Sequence, residues 1–271
     1  MADGPARLER AFRDAGRPLY IPYVMGGYPD LATSAERAGR LAAHADVLEL
    51  GIPFSDPLAD GPTIQAAGQR ALEGGTRPED VIEIAKGLAG GPPVVLMTYV
   101  NIILAAGERA FCERAARAGV AGVIVPDLPI DEGASLRAHA ARAGVAIVPL
   151  AAPTTSDARL ALIDRRGEGF LYCVSVTGVT GGEVRVDDVL SAFLARARKM
   201  VHLPLAVGFG VRTPAHAAAI GAMADGVVIA SELIRLAEVA EGDPGAAVDG
   251  FSREVLDALS GIAPAEAHAG R

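Results

Sequence analysis

The sequence predicts an α/β protein, a (β/α)8 TIM barrel with an extra N-terminal helix and an additional C-terminal helix. Short apolar runs alternate about eight times with alanine-rich amphipathic segments, which is the pattern of βα units. Most runs are apolar throughout, as parallel strands buried on both faces should be. The 271 residues, 51% of them hydrophobic, suffice for one core, and single barrels have roughly 250 residues. We therefore expect one domain over residues 1–271.

The predicted strands are evenly spaced along the chain. An open doubly wound sheet has the same alternation, but eight even units with no GxGxxG motif after the first strand favour a closed barrel. The expected strands are Leu19–Val24, Val47–Leu50, Val94–Met97, Val120–Val125, Val145–Leu150, Phe170–Val174, Leu205–Val207 and Gly226–Ile229.

Helix starts and ends are readable between these strands. Thr76 with Glu79 predicts a capping box, and Ser156 and Thr213 predict further N-caps. Glycines that stop helices precede several strands. They are Gly119, Gly144 and Gly226.

The two ends of the chain carry the additional helices. Residues 1–17 should form a helix that closes the barrel floor, because apolar residues recur there at helical spacing. These residues are Leu8, Ala11, Phe12 and Ala15. Leu233–Val239 and Phe251–Leu259 predict two helices after the eighth strand, and residues 262–271 predict a frayed tail.

Composition excludes several classes of partner. The formal net charge of −8 gives no basic patch for nucleic acid and would repel anionic membranes. No uncharged apolar run approaches the roughly 18 residues of a membrane span, and the N-terminal segment has no signal-peptide pattern. Cys112 and Cys173 lie far apart without a CxxC spacing, so both are expected to be small buried groups. We expect a cytoplasmic protein that binds neither nucleic acid nor membrane.

Acidic residues concentrate after the second strand, in LELGIPFSDPLADGPTIQ. Glu49 ends this strand among apolar neighbours and should face the barrel mouth, where desolvation raises the pKa of a carboxyl towards the range useful for acid/base catalysis. The alternatives for Glu49 are a carboxylate paired with an arginine and a solvated rim residue. Asp56 and Asp60 follow on a loop rich in proline and glycine, where ordinary turn chemistry also explains them.

Small residues fill the loops after the last three strands. They are Gly178-Val179-Thr180-Gly181-Gly182, Gly208-Phe209-Gly210 and Ala230-Ser231. Such loops expose backbone N–H groups, and in barrels these positions commonly hold a phosphate at a helix N-terminus. Ser231 is expected both to cap the last barrel helix and to bind phosphate. Each motif alone also fits a plain turn.

The absence of lysines and of paired histidines at the strand ends further limits the reactions that the protein can catalyse. Lys86 and Lys199, the only lysines, do not lie at strand ends, which disfavours a Schiff base. The five histidines form no HxH or HxxxH pair, which disfavours a catalytic metal. Carboxylate acid/base chemistry on a phosphorylated substrate, without metal or cofactor, is the remaining simple option.

Four segments together resemble the tryptophan synthase alpha family. They are ELGIPFSDPLADGPTIQ at Glu49–Gln65, VPDLP at Val125–Pro129, SVTGVTG at Ser175–Gly181 and GFG at Gly208–Gly210. The resemblance runs in order from about Leu19 to Leu236. It implies a (β/α)8 barrel and a carbon-carbon lyase of tryptophan biosynthesis that cleaves indole-3-glycerol phosphate into indole and glyceraldehyde 3-phosphate.

The resemblance also implies roles for individual residues. Glu49 matches the family acid/base residue, Asp60 the carboxylate that accepts the indole N–H, and Tyr172 the tyrosine that positions the reacting groups. The phosphate would bind at Gly181, Gly210, Ala230 and Ser231, with Thr180 on a lid. The expected indole pocket comprises Tyr23, Met97, Ile124, Leu150 and Phe209. Ala230, Val176 and Met25 depart from residues that are frequent in the family, namely glycine, arginine and threonine.

The family further implies a partner. The expected assembly is an αββα heterotetramer, in which indole passes to a beta subunit that carries pyridoxal phosphate, while the alpha chain itself needs no cofactor. Pro53, Asp56 and the Val125–Pro129 segment would lie at the interface, and docking would order the loop that carries Asp60. The alternatives are a stand-alone lyase that releases free indole and a non-catalytic regulatory subunit. Another phosphate-binding barrel would share the fold but not the loop after the second strand.

Overall fold

The computed structural model describes residues 3–174, 188–208 and 210–263. These residues form nine strands and twelve helices, and all paired strands are parallel. The sheet has the order β5-β4-β3-β2-β1-β9-β8-β7-β6, as expected for a barrel. The strands are β1 Leu19–Met25, β2 Leu48–Gly51, β3 Val94–Met97, β4 Val120–Ile124, β5 Ala146–Val148, β6 Leu150–Ala151, β7 Leu171–Val174, β8 Leu205–Gly208 and β9 Gly226–Ile229.

Pro149 explains why the structure has nine strands where the sequence predicts eight. The expected strand Val145–Leu150 is divided at this proline into β5 and β6, because proline has no N–H to donate to a neighbouring strand. The carbonyl of Pro149 still accepts a hydrogen bond of 2.9 Å from the Tyr172 N–H. The ring of strands therefore continues through Pro149, and the predicted barrel is confirmed.

Side chains alternate between the inside of the barrel and the layer beneath the helices. Leu48 and Leu50 on β2 pack in the layer between the strands and the helices. Val47, which directly precedes β2, packs inside the barrel. Glu49 therefore points inwards, level with Tyr23 on β1 and Val95 on β3, its register partners. This alternation places a carboxyl group inside an otherwise apolar barrel.

Twelve helices surround the strands in the described residues. They are α1 Gly4–Asp14, α2 Leu31–Ala42, α3 Pro62–Glu73, α4 Pro78–Gly87, α5 Val100–Ala106, α6 Glu108–Arg117, α7 Ala134–Ala143, α8 Asp157–Arg166, α9 Asp188–Met200, α10 Pro214–Gly221, α11 Ser231–Val239 and α12 Pro244–Ser260. Two helices follow β9, as predicted, and α12 packs on α10, α11 and α2. Within the described residues no helix has the length and apolar character that crossing a membrane requires.

The predicted N-caps are partly confirmed. Ser156 and Thr213 cap α8 and α10 through their side chains. The capping box predicted at Thr76 is wrong, because the N-cap of α4 is Arg77, whose N–H donates to the Asp80 carboxylate at 2.8 Å. Thr76 is buried instead and packs against Gly27.

The glycines before the strands also divide into two groups. Gly119 and Gly144 have φ of +79° and +73° and follow the ends of α6 and α7, as predicted. Gly226 lies inside β9, five residues after α10 ends at Gly221, so its expected role as a helix stop is wrong.

Helix α1 closes the barrel floor, as predicted. Leu8 is completely buried, and the Phe12 ring lies 5.4 Å from that of Phe170, which enters the barrel beside β7. The Gly4 N–H donates to the Gly144 carbonyl at 2.8 Å and fixes the start of the helix. Cys112 and Cys173 are buried and unbridged, as expected. The predicted tail lies outside the described residues from position 264 onwards.

Candidate active site

Glu49 lies at the centre of the carboxyl end of the barrel. Its side chain is 1% exposed, and its Oε2 has no hydrogen-bond partner among the described residues. Burial, with a smaller contribution from the charge of Asp60, raises the pKa of this carboxyl to about 8. Glu49 is thus mainly protonated at neutral pH, as a proton donor must be.

Asp60 lies on the segment between β2 and α3, residues 52–61, which we call loop two. Burial raises the pKa of the Asp60 carboxyl to about 6, while a hydrogen bond from Tyr99 opposes this shift. Both polar groups of its backbone form hydrogen bonds. The Asp60 N–H donates to the Pro57 carbonyl, and Gln65 Nε2 donates to the Asp60 carbonyl at 2.8 Å. At neutral pH this group is mainly the carboxylate, the opposite state to Glu49.

One pocket contains both acids. Eight of the residues that the sequence predicts for the site line it together: Tyr23, Glu49, Asp60, Met97, Tyr172, Gly210, Ala230 and Ser231. Ile64 and Val228 add apolar surface. Because the strands are parallel, their carboxyl ends meet here, as they do at barrel active sites.

Two buried tyrosines flank Glu49. Tyr172 is 4% exposed, and burial, followed by the charge of Glu49, raises the pKa of its phenol well above the usual value. The pKa of Tyr23 is raised for the same primary reason, with Asp60 and Glu49 contributing. Both phenols therefore stay protonated and can donate hydrogen bonds inside the pocket.

The N-terminal end of α11 also lines the pocket. Its N-cap is Ala230, which has no capping side chain, so the expectation that Ser231 caps this helix is wrong. The first N–H groups of α11 are therefore available to an anion. Ala230 has φ of −123°, outside the left-handed region that favours glycine. Gly210, with φ of +81°, lines the same end.

Two arginines add positive charge at this end. Arg235 lines the pocket and pairs with the buried Glu232. Arg212 also lines it, is exposed, and forms no ion pair with any carboxylate in the part of the chain that the structure describes. The pocket thus combines the carboxyl groups of Glu49 and Asp60 with the N-terminus of α11 and the guanidinium of Arg212.

The remaining predicted residues lie elsewhere. Ile124 is completely buried and lines neither of the two main pockets, and Leu150 lines a neighbouring pocket that shares Met97 with the first. Pro53 is buried, whereas Asp56 is exposed on loop two. Thr180, Gly181 and Phe209 lie outside the described residues.

Sequence reasoning missed several residues that line the pocket or adjoin it. Arg212 and Tyr99 follow strands directly or closely, so the rule that barrel function lies at strand ends could have found both. Ile64 is on α3, and nothing in its sequence neighbourhood distinguishes it from an ordinary core residue. In the described ranges no three His, Cys, Asp or Glu side chains cluster as metal ligands would. The site as described can perform proton transfer and hold an anion.

The family profile described as tryptophan synthase alpha chain matches residues 10–255. A tryptophan synthase alpha chain of Carboxydothermus hydrogenoformans is 45% identical over 229 residues, covering 83% of this chain and 86% of the relative. The alpha chain of Deinococcus radiodurans is 45% identical over 252 residues, covering 91% and 93% of the two chains.

Solved structures agree with these sequence relatives. A crystal structure of the tryptophan synthase alpha chain from Legionella pneumophila superposes with a TM-score of 0.87 at 33% identity, covering 97% of this chain and 98% of that one. A tryptophan synthase structure from M. tuberculosis in an aminoacrylate-bound form gives a TM-score of 0.84 at 31% identity, covering 93% and 99%.

Proposed function

The chain belongs to the tryptophan synthase alpha chain family, and from this premise we propose that the pocket around Glu49 and Asp60 is where it cleaves indole-3-glycerol phosphate. The products are indole and glyceraldehyde 3-phosphate. The observation that carries the assignment is the shared pocket, which two carboxyl groups with different raised pKa values line together with the N-terminus of α11.

Glu49 transfers the protons. The protonated carboxyl donates its proton to C3 of the indole ring, and the resulting carboxylate accepts the proton of the adjacent side-chain hydroxyl. The bond between C3 and the side-chain carbon that bears this hydroxyl then breaks. Its electrons return to the ring, and the hydroxyl becomes the aldehyde. The pKa of about 8 supports this role, since Glu49 begins and ends the cycle protonated.

Asp60 stabilises the charge that forms on the ring. As C3 becomes tetrahedral, positive charge builds on the indole nitrogen, and a carboxylate that accepts its N–H lowers the energy of that state. The lower pKa of Asp60 supports this division of roles, because it ionises while Glu49 is still protonated. Tyr172 positions the reacting groups beside Glu49. Tyr23 and Met97 form the indole slot, to which Ile64 and Val228 contribute.

The phosphate binds at the N-terminus of α11, on backbone N–H groups around Gly210, Ala230 and Ser231. Arg212 contributes charge at the same end. Gly181 and the lid residue Thr180 are proposed to complete this site on the family resemblance.

The family implies a beta subunit as partner. We propose an αββα heterotetramer in which pyridoxal phosphate belongs to the beta subunit and this chain needs no cofactor. Loop two and the Val125–Pro129 segment would form the contact surface. The exposure of Asp56 and of Leu58, whose side chain is 91% exposed, supports this assignment. Residues 1–271 would act as one cytoplasmic domain.

The assignment is tested by Asp60→Asn, compared with Asp14→Asn as a matched control on an exposed site of α1. Steady-state release of indole should fall by about a hundredfold or more in Asp60→Asn, since the amide has no charge to offer the ring. Asp14→Asn should retain the wild-type rate. A fully active Asp60→Asn variant would remove Asp60 from the mechanism.

A further inference from the structure

Tyr99 holds loop two from the end of β3. Its side chain is only 3% exposed, and its hydroxyl oxygen accepts a hydrogen bond of 3.1 Å from the Ala59 N–H. The ring stacks on Phe54, with 5.0 Å between centroids and 25° between planes. Tyr99 therefore contacts loop two near its start and next to the catalytic carboxylate.

The same hydroxyl acts on the neighbouring Asp60 carboxyl as a hydrogen-bond donor that lowers its pKa. A phenol has one proton to donate and lone pairs to accept with. Because the Tyr99 oxygen accepts from the Ala59 N–H, its own proton remains available for donation to Asp60. The Tyr99 hydroxyl oxygen thus acts on two consecutive residues of loop two, on the backbone of Ala59 and on the side chain of Asp60.

Tyr99 is itself fixed by neighbouring loops. The next residue, Val100, donates its N–H to both carboxylate oxygens of Asp127, at 2.9 and 3.2 Å. The Thr98 N–H donates to the Ile124 carbonyl at 3.0 Å. The position of the hydroxyl is therefore set by the ends of β3 and β4, not by loop two.

We propose that Tyr99 is a positioning residue for the cleavage reaction, whose hydroxyl aims the Asp60 carboxylate at the indole N–H. This inference rests on the proposed function, because the aim of Asp60 matters only if Asp60 contacts the ring. A carboxylate on an unconstrained loop would sample many orientations, and small displacements of a catalytic group are costly to the rate.

The hydroxyl also affects the ionisation of Asp60. Its hydrogen bond lowers the pKa of a carboxyl that burial otherwise raises, so its removal should raise that pKa above about 6. Several titratable groups face this pair: Glu49, Tyr23 and Tyr172 face Asp60, and Asp127 faces Tyr99. Tyr99→Phe changes none of these groups directly.

The test compares Tyr99→Phe with two controls. Tyr20→Phe removes another buried hydroxyl, bonded at 3.0 Å to Ser252 on α12, away from the pocket. Phe54→Leu disturbs the ring stack on loop two but leaves the Tyr99 hydroxyl in place. For each purified protein, with a beta subunit present, kcat, KM and the pH profile of kcat/KM are measured with indole-3-glycerol phosphate. The melting temperature of each protein is measured as well.

In Tyr99→Phe we expect kcat to fall about ten- to a hundredfold, with a smaller change in KM. The acid limb of its kcat/KM profile should move to higher pH, while both controls keep the wild-type limb. The melting temperature of Tyr99→Phe should match that of Tyr20→Phe. A lower kcat in Tyr99→Phe alone would then reflect lost positioning of Asp60 and not lost stability.

A wild-type kcat and acid limb in Tyr99→Phe, alongside an inactive Asp60→Asn, would overturn the positioning role and leave the proposed function intact. An acid limb shifted equally in Phe54→Leu would also overturn it, since the loss of ring packing alone would then account for the shift. Full activity of Asp60→Asn would overturn the proposed function and this inference together.

Discussion

The Tyr172 phenol occupies the space that a side chain at residue 208 would need. A β-carbon built on Gly208 would stand 2.2 Å from Tyr172 Oη, far inside van der Waals contact. Gly208 is the last residue of β8 and pairs with Val174 on β7. The absence of a side chain on one strand thus permits a phenol from the next strand to reach Glu49.

Gly208→Ala should therefore displace Tyr172 and reduce catalysis. We expect kcat to fall at least about tenfold, because positioning is lost, and the fold to lose about 1–3 kcal/mol through overpacking. Gly39→Ala on α2 is the matched control, since a β-carbon there meets nothing within 4 Å. Wild-type turnover in Gly208→Ala would show that the Tyr172 phenol does not need this position.

The pH profile of kcat/KM should be bell-shaped. Asp60 must be ionised and Glu49 protonated, and the pKa values of the two carboxyls are raised to about 6 and about 8. Turnover should rise as the pH passes about 6 and fall as it passes about 8. Initial rates of indole release at substrate concentrations well below KM, from pH 5 to pH 9.5, measure this. A profile that is flat across the whole range would contradict the assigned protonation states.

Glu49 should make folding stability fall with rising pH. Its carboxyl has a pKa of about 8 when folded, against 4.5 as the ordinary value, so the unfolded chain ionises first. The stability due to the neutral form is complete below about pH 4.5 and is lost as the pH rises through 8, by at most about 1.4 kcal/mol per pH unit. Glu49→Gln should therefore gain melting temperature relative to wild type between pH 5 and pH 9.

The comparison needs a variant that removes an exposed carboxylate. Glu83→Gln serves, because Glu83 is exposed on α4, and its difference from wild type should not grow with pH. A constant offset between Glu49→Gln and wild type at every pH would mean that Glu49 is not held neutral by the fold.

Arg212→Gln should weaken binding of the phosphate end of the substrate. Because this arginine is exposed, we expect KM to rise only about two- to fivefold, the size of a surface charge interaction, with kcat nearly unchanged. The wild-type KM should also respond more strongly to added salt than that of the variant. Arg165→Gln, an exposed substitution on α8, is the control. Equal KM values and equal salt responses would separate Arg212 from the phosphate.

The sequence predicts the strands well because buried parallel strands are distinctive in composition. Val94–Met97 and Gly226–Ile229 are confirmed residue for residue. The break at Pro149 could have been predicted, since proline cannot donate within a strand. The start of α4 could not have been predicted in the same way. Thr76 is a typical N-cap residue and Asp80 a typical capping-box residue, and only packing shows that Thr76 is buried while Asp80 caps the helix.

The site was predictable where chemistry shows in residue type. Glu49 is conspicuous as a carboxyl within an apolar strand end, whereas Tyr99 resembles a core aromatic until its hydroxyl is seen against loop two. Ile64 lines the pocket only because α3 turns that face towards Glu49. Such contacts depend on the arrangement of helices around the barrel, which local periodicity does not encode.

The most direct test of the account is the turnover of indole-3-glycerol phosphate by wild type and Glu49→Gln, each alone and with a beta subunit. We expect indole and glyceraldehyde 3-phosphate from wild type, faster with the partner, and a loss of at least about a hundredfold in Glu49→Gln under both conditions. Glu83→Gln should match wild type. Undiminished cleavage by Glu49→Gln would contradict the proposal that this carboxyl transfers the protons.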